Sequence, residues 1–136
     1  MTPDALRALL HEARTVAVVG LSPKPERPSF GVARYLQRVG YRIVPVNPGH
    51  PEILGERSFR TLADAARERA IDIVDVFRRS EFAGAVVDEA IAIRPTLIWL
   101  QLGVVDAAAR ARAEGAGISF VMDRCLAIDH RHLLGD

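Results

Sequence analysis

Hydrophobic residues recur along the chain in five short runs, separated by longer stretches with helical spacing. The runs span residues 15–20, 41–46, 71–77, 96–101 and 118–122. Short apolar runs bounded by turn residues are typical of strands buried on both faces of a sheet. The pattern therefore predicts five strands, numbered one to five in chain order.

The stretches between these runs predict helices whose ends have recognisable residues. Thr2 followed by Pro3 indicates a leading helix to about residue 11 or 13, and Gly40 ends a second helix with an apolar stripe that includes Phe30 and Leu36. Three more helices are predicted to begin at capping residues, namely Thr61, Ser80 and Asp106. A short helical tail is expected after residue 127, and residues 51–60 are expected to form an irregular connection.

Regular alternation of strands with helices requires crossover connections, which are right-handed in parallel sheets. We therefore predict an α/β fold, a doubly wound Rossmann-like parallel sheet of about five strands with helices on both faces. The favoured strand order is 3-2-1-4-5, which places a crevice outside the carboxyl ends of strands one and four. With 136 residues, 49% of them hydrophobic, the chain suits a single domain over residues 1–136.

Composition excludes several classes of function. Eighteen Lys and Arg against seventeen Asp and Glu give a net charge of +1, so no broad surface for nucleic acid or an anionic membrane is expected. The single cysteine excludes an internal disulfide. Together with the lack of a signal peptide or a long apolar run, it favours a cytoplasmic location.

Small residues, backbone amide donors and cations follow the predicted strands. Because the carboxyl ends of parallel strands meet at one edge, these residues should converge on an anionic ligand with several phosphates. They are Gly20, Leu21, Ser22, Lys24 and Arg27 after strand one, Asn47 and Pro48 after strand two, Phe77, Arg78 and Arg79 after strand three, Gln101, Leu102 and Gly103 after strand four, and Arg124 after strand five.

The first loop departs from the dinucleotide-binding fingerprint. Ser22 stands where the second glycine of that motif belongs, and strand two ends with Asn47 and Pro48 rather than with a carboxylate for the ribose. A nicotinamide cofactor is therefore disfavoured, whereas another phosphate-bearing nucleotide remains compatible with the sequence.

Segments distributed over nearly the whole chain resemble one family. They are Ala17–Ser22, Arg27–Ser29, Pro45–Pro48, Asp72–Ser80, Trp99–Gly103 and Val121–Cys125. Together they are similar to the small CoA-binding proteins of bacteria and archaea, which are related to the CoA-binding domain of the succinyl-CoA synthetase α subunit.

The resemblance implies that coenzyme A or an acyl-CoA binds in the strand-end crevice. In that family the first loop, here Gly20–Ser22, approaches the phosphates, and the segment from Lys24 to Ser29 extends it toward the helix start. The turn at Asn47 and Pro48 is expected near the adenine nucleotide, and the turn from Gln101 to Gly103 is expected near the pantetheine. The resemblance does not include the domain that carries the synthetase's catalytic phosphohistidine, so ligase activity is not implied.

Several of these residues have a structural alternative. Arg78 and Arg79 could form surface ion pairs, for which Asp75 and Glu81 are available, so one arginine is assigned to the ligand and the other to structure. Asp75, in a buried strand, is expected to face a basic side chain or a loop amide. Phe77 and Trp99 are expected mainly to fill the core, and only secondarily to stack on an adenine ring.

Cys125 is the one candidate for a reactive group, because it follows Arg124 at a strand-to-helix turn. Under oxidising conditions it could form a mixed disulfide with CoA; the alternative is a small buried apolar residue. His130 and His132 are two residues apart and do not face each other on a helix, so no metal site is assigned.

The sequence contains no nucleophile beside a base and no acid–base pair. A non-catalytic binding module for CoA or acyl-CoA is therefore favoured. The alternative is a small enzyme or a regulatory subunit that uses another adenine nucleotide such as NAD. A homodimer or a protein partner is compatible with a chain of this size and an exposed edge strand.

Overall fold

Five parallel strands form the central sheet of the computed structural model, which describes residues 1–135. Two further short strands form a separate sheet. In chain order, all strands of the described residues are β1 (Thr15–Val19), β2 (Arg42–Val46), β3 (Glu52–Ile53), β4 (Glu56–Arg57), β5 (Ile73–Val76), β6 (Leu97–Leu100) and β7 (Ser119–Val121). Strands β1, β2, β5, β6 and β7 are the five predicted ones and pair in parallel. The predicted fold class, a Rossmann-like α/β fold, is confirmed.

The order of the strands differs from the prediction. Across the sheet they run β2-β1-β5-β6-β7, which is 2-1-3-4-5 in the numbering of the predicted strands, so the order 3-2-1-4-5 is wrong. Strand β5 is buried along its whole length and occupies the centre of the sheet, where both edges are paired. Strand β2 begins at exposed Arg42 and contains Pro45, which has no N–H to donate and suits an edge strand. The order therefore reverses between β1 and β5, and the crevice lies there rather than between strands one and four.

Helices cover both faces of the sheet, as predicted. They are α1 (Pro3–Glu12), α2 (Pro28–Arg38), α3 (Leu62–Glu68), α4 (Ser80–Ile93), α5 (Ala107–Gly115) and α6 (Leu126–Leu134). Alternate residues of β1 face opposite sides: Val16 and Val18 belong to the cluster under α1, α2 and α6, and Ala17 and Val19 to the cluster under α3, α4 and α5. The two clusters are the two apolar layers that hold the helices against the sheet.

Three of the four predicted capping residues act as expected. The side chains of Thr2, Thr61 and Asp106 each accept a backbone N–H in the first turn of their helix. The prediction for Ser80 is wrong, because Ser80 is the first residue of α4 and Arg79 occupies the N-cap. The Ser80 hydroxyl instead accepts the N–H of Val105, 3.0 Å away, and so joins α4 to the loop after β6.

Residues 51–60, predicted to be irregular, contain a small antiparallel hairpin of β3 and β4. Its turn places Leu54 and Gly55 at positive φ, 54° and 76°. Each strand has only two residues, too few to show an alternating pattern, so periodicity could not reveal them. Ile53 anchors the hairpin in the core at 3% exposure.

Candidate functional site

A cleft of about 670 Å³ lies at the carboxyl ends of the central strands, around the point where the strand order reverses. It is the crevice that the sequence predicted, displaced by one strand. The predicted residues that line it are Gly20, Ser22, Lys24, Arg27, Ser29, Asn47, Phe77, Arg78, Gln101 and Leu102. They come from the loops after four different strands and, for Ser29, from the first turn of α2, so the structure brings together most of the predicted set.

The other predicted residues do not line this cleft. Leu21 is fully buried in the core, and Pro48, Arg79 and Gly103 are exposed outside the lining. Arg124 lies 2.6 Å from the Asp129 carboxylate in an ion pair. Of the two adjacent arginines, Arg78 is therefore the one at the cleft, and neither forms an ion pair within residues 1–135.

Gly20 lies where the loop after β1 meets the turn after β5. Its φ is +85°, and a Cβ at this position would lie 2.3 Å from the carbonyl oxygen of Phe77, so the two loops meet backbone to backbone. Only glycine combines the left-handed backbone with so little space. The approach sets the distance between the loop after β1 and the Phe77–Arg78 turn after β5.

Three of the predicted ligand contacts hold the loops in place. The Ser29 hydroxyl accepts the N–H of Ser22 at 3.0 Å, and the Ser22 hydroxyl accepts the N–H of Lys24 at 3.1 Å. Asn47 donates from Nδ2 to the carbonyl oxygen of Leu21 at 2.9 Å, which ties the turn after β2 to the loop after β1. These hydrogen bonds fix the positions of the loops and so preorganise the cleft wall.

The loops after β1 and β5 supply the positive charge of the cleft and form its cationic end. Lys24, Arg27 and Arg78 line it, none of them forms an ion pair within residues 1–135, and no Asp or Glu belongs to the lining. Helix α2 begins at the same place with Pro28 in its first turn, no acidic residue there and no side-chain cap. The helix N-terminus and the three cations make this end suitable for a phosphate-bearing anion.

The loops after β6 and β7, with the start of α6, form the uncharged end of the cleft, and two of its residues, Val104 and Ile128, were not predicted from the sequence. Val104, Cys125 and Ile128 line it beside Gln101 and Leu102. Val32, Pro23, Pro28 and His50 complete the lining elsewhere. Most of these residues lie beyond the immediate strand ends, on helices or further along loops, where no sequence signal marks them. Cys125 is half-buried in this wall and is a free cysteine. Its mixed disulfide with CoA stays a prediction.

A buried carboxyl group lies directly behind the cleft wall. Asp75, in the central strand β5, has no exposed surface, and its two oxygens lie 3.0 and 3.1 Å from Nε2 of Gln101. Its partner is thus a side-chain amide from the loop after β6 rather than a basic side chain. Burial raises the pKa of Asp75 to about 8, and the hydrogen bond from Gln101 opposes this shift.

The raised pKa of Asp75 predicts a pH-dependent stability. The unfolded chain releases this proton above about pH 4, while the folded protein keeps it to about pH 8, so unfolding becomes easier as the pH rises through this window. One proton contributes a slope of up to about 1.4 kcal/mol per pH unit. The free energy of unfolding of both proteins is measured with denaturant. The value for Asp75→Asn minus the value for the wild type should increase between pH 5 and pH 8. A constant difference between the two proteins would show that Asp75 is ionised in the folded state.

Within residues 1–135, no group of three His, Cys, Asp or Glu side chains is placed to hold a metal ion. None of the helices described is both long and apolar enough to span a bilayer.

The fold and the cleft define a Rossmann-like α/β protein with a cationic pocket at the strand ends. The chain belongs to the CoA binding domain family, whose model matches residues 14–131. The resemblance noted from the sequence segments is thereby confirmed.

Similar proteins are known from several organisms. The uncharacterized protein YneT of Bacillus subtilis (strain 168) is 36% identical over 125 residues, which cover 92% of this chain and 91% of YneT. The solved structure of cell-free ID.343 from Thermus thermophilus is 40% identical with a TM-score of 0.93, covering 98% of this chain and 100% of that one. A hypothetical protein from Pyrococcus horikoshii OT3 is 33% identical with a TM-score of 0.93, covering 99% of this chain and 94% of that one.

Proposed function

We propose that this protein binds coenzyme A or an acyl-CoA in the cleft between the loops after β1 and β5, without catalysing a reaction. The observation that carries the proposal is the division of one cleft into a cationic end and an uncharged end, in a member of the CoA binding domain family. Coenzyme A has the same division, since its phosphates are charged and its pantetheine arm is not.

The phosphates are assigned to the cationic end. Lys24, Arg27 and Arg78 supply charge-assisted hydrogen bonds, each of which contributes about 1.5–3 kcal/mol to binding. The N-terminus of α2 adds a favourable field for an anion at the same place. Asn47 and His50 lie on the side of the cleft beside β2, where the adenine nucleotide is expected.

A non-catalytic role is supported by the chemistry of the lining. Cys125 and His50 are its one thiol and its one imidazole, and within residues 1–135 no hydrogen bond joins either to an acid or a base. Asp75 is separated from the cleft by Gln101. A general acid–base pair or an activated nucleophile needs such a bond within reach of the substrate.

Ligand-induced thermal stabilisation tests the proposal against the alternative of an NAD-dependent enzyme or another adenine-nucleotide protein. The melting temperature is measured with CoA, dephospho-CoA, acetyl-CoA, NAD and ATP at equal concentrations. A ligand at 100 times its Kd stabilises the folded state by about 2.7 kcal/mol, and CoA or acetyl-CoA should give the largest shift. A smaller shift with dephospho-CoA assigns a contact to the 3′-phosphate. A larger shift with NAD or ATP than with CoA would contradict the proposal.

A further inference from the structure

The carboxyl group of Asp75 is fully buried in β5, the central strand of the sheet. In the parallel register its neighbours are Val18 of β1 and Trp99 of β6, both without exposed surface. No ion pair reaches Asp75 within residues 1–135, and burial and Gln101 are the two causes of its pKa shift. A carboxyl group here adds nothing to the apolar packing and costs free energy to bury, so a role outside the packing is expected for it.

Gln101 connects this buried group to the cleft. Its Nε2 donates to both oxygens of Asp75, while the residue itself is only 4% exposed and lines the uncharged end of the cleft. The Oε1 of the same amide has no hydrogen-bond partner within residues 1–135 and is not among the polar atoms sealed from solvent. With its nitrogen held by Asp75, the amide therefore offers its oxygen to the cleft.

We propose that Asp75 is a positioning residue, which fixes the Gln101 amide so that the uncharged end of the cleft presents a carbonyl oxygen to an N–H donor on the ligand. This inference rests on the proposed function. The pantetheine arm of coenzyme A carries two amide N–H groups and no charge. An oxygen held by a buried partner selects such a donor better than a freely rotating amide, which could turn its nitrogen outward.

Two substitutions at Asp75 separate positioning from packing. Asp75→Leu has a similar shape but cannot hold Nε2, so the amide is free to turn. Asp75→Asn keeps an oxygen acceptor for Nε2, and it matches the neutral carboxyl group that burial favours at pH 7. Gln101→Leu removes the amide itself and leaves the central strand unchanged.

Calorimetric titration is carried out with two probes, CoA and adenosine 3′,5′-bisphosphate, which lacks the pantetheine arm. Loss of one neutral hydrogen bond should weaken CoA binding about 3- to 10-fold in Asp75→Leu and in Gln101→Leu. Binding of the bisphosphate should stay within about twofold of the wild type in both variants. Asp75→Asn should bind both probes within about twofold of the wild type.

The outcomes distinguish the inference from the proposed function. If the wild type fails to bind CoA, the proposed function is wrong and the inference falls with it. If the wild type binds CoA and Gln101→Leu retains its CoA affinity, only the inference is overturned. An equal loss for both probes would also overturn it, because that result indicates a purely structural role. Should Asp75→Leu fail to fold, Gln101→Leu and Asp75→Asn still decide the question.

Discussion

Replacement of Gly20 by alanine is expected to lower the free energy of unfolding by about 2–5 kcal/mol. The left-handed backbone at φ +85° costs a residue with a Cβ about 1–2 kcal/mol, and relief of the 2.3 Å contact with the Phe77 carbonyl oxygen adds about 1–3 kcal/mol. The melting temperature should fall by roughly 10 °C or more. CoA affinity should fall with it, because the loops after β1 and β5 must move apart.

Gly31→Ala is the matched control for this prediction. Gly31 lies within α2 in the same segment of the chain, has no positive φ, and a Cβ there would meet no atom within 4 Å. Alanine in a helix is favoured over glycine by about 0.5–1 kcal/mol, so this variant should be slightly more stable than the wild type. Equal melting temperatures for the two variants would show that the Gly20–Phe77 approach is not required by the fold.

Arg78→Ala is expected to weaken CoA binding about 10- to 100-fold. The estimate follows from the loss of one charge-assisted hydrogen bond to a phosphate, at about 1.5–3 kcal/mol. Arg78 is exposed, forms no ion pair within residues 1–135 and lies 5.8 Å from the ring of Phe82, so stability should change by less than about 1 kcal/mol. Isothermal titration and thermal unfolding measure the two effects separately.

Arg79→Ala removes the same charge from the neighbouring position and serves as the control. Arg79 is exposed outside the cleft lining, at the N-cap of α4. Its variant should bind CoA within about threefold of the wild type, at an ionic strength that screens distant charges. Similar losses in both arginine variants would indicate that general positive charge, rather than a contact at the cleft, attracts the ligand.

The strands, the caps and the fold class could be predicted because they depend on local patterns. Each buried strand appears as an apolar run, and Thr2, Thr61 and Asp106 act as caps through bonds within three residues of themselves. The role of Ser80 was different, since its hydroxyl bonds to Val105 on another loop. A local signal identifies a polar residue near a helix start, but a distant partner decides what it does.

Strand order was the main error, and it was decided by pairing across the sheet. The predicted and the observed strand orders place the same loops at one edge of the sheet. Most of the predicted site residues therefore still lie together, in a crevice displaced by one strand. Pro45 in β2 favours an edge position, because proline has no N–H to donate to a neighbouring strand. The central position of β5 is visible in its continuous burial, which includes the carboxyl group of Asp75.

The sequence by itself determined which segments become strands and helices, and which loops supply small residues and cations to the strand ends. Apolar runs, capping bonds and turn residues act over a few positions, so they can be recognised along the chain. Tertiary structure alone decided that β5 pairs with β1, that Arg78 rather than Arg79 lines the cleft, and that Gln101 holds Asp75. These outcomes depend on distances between residues far apart in the chain, which are set only when the sheet and its two helical layers pack together.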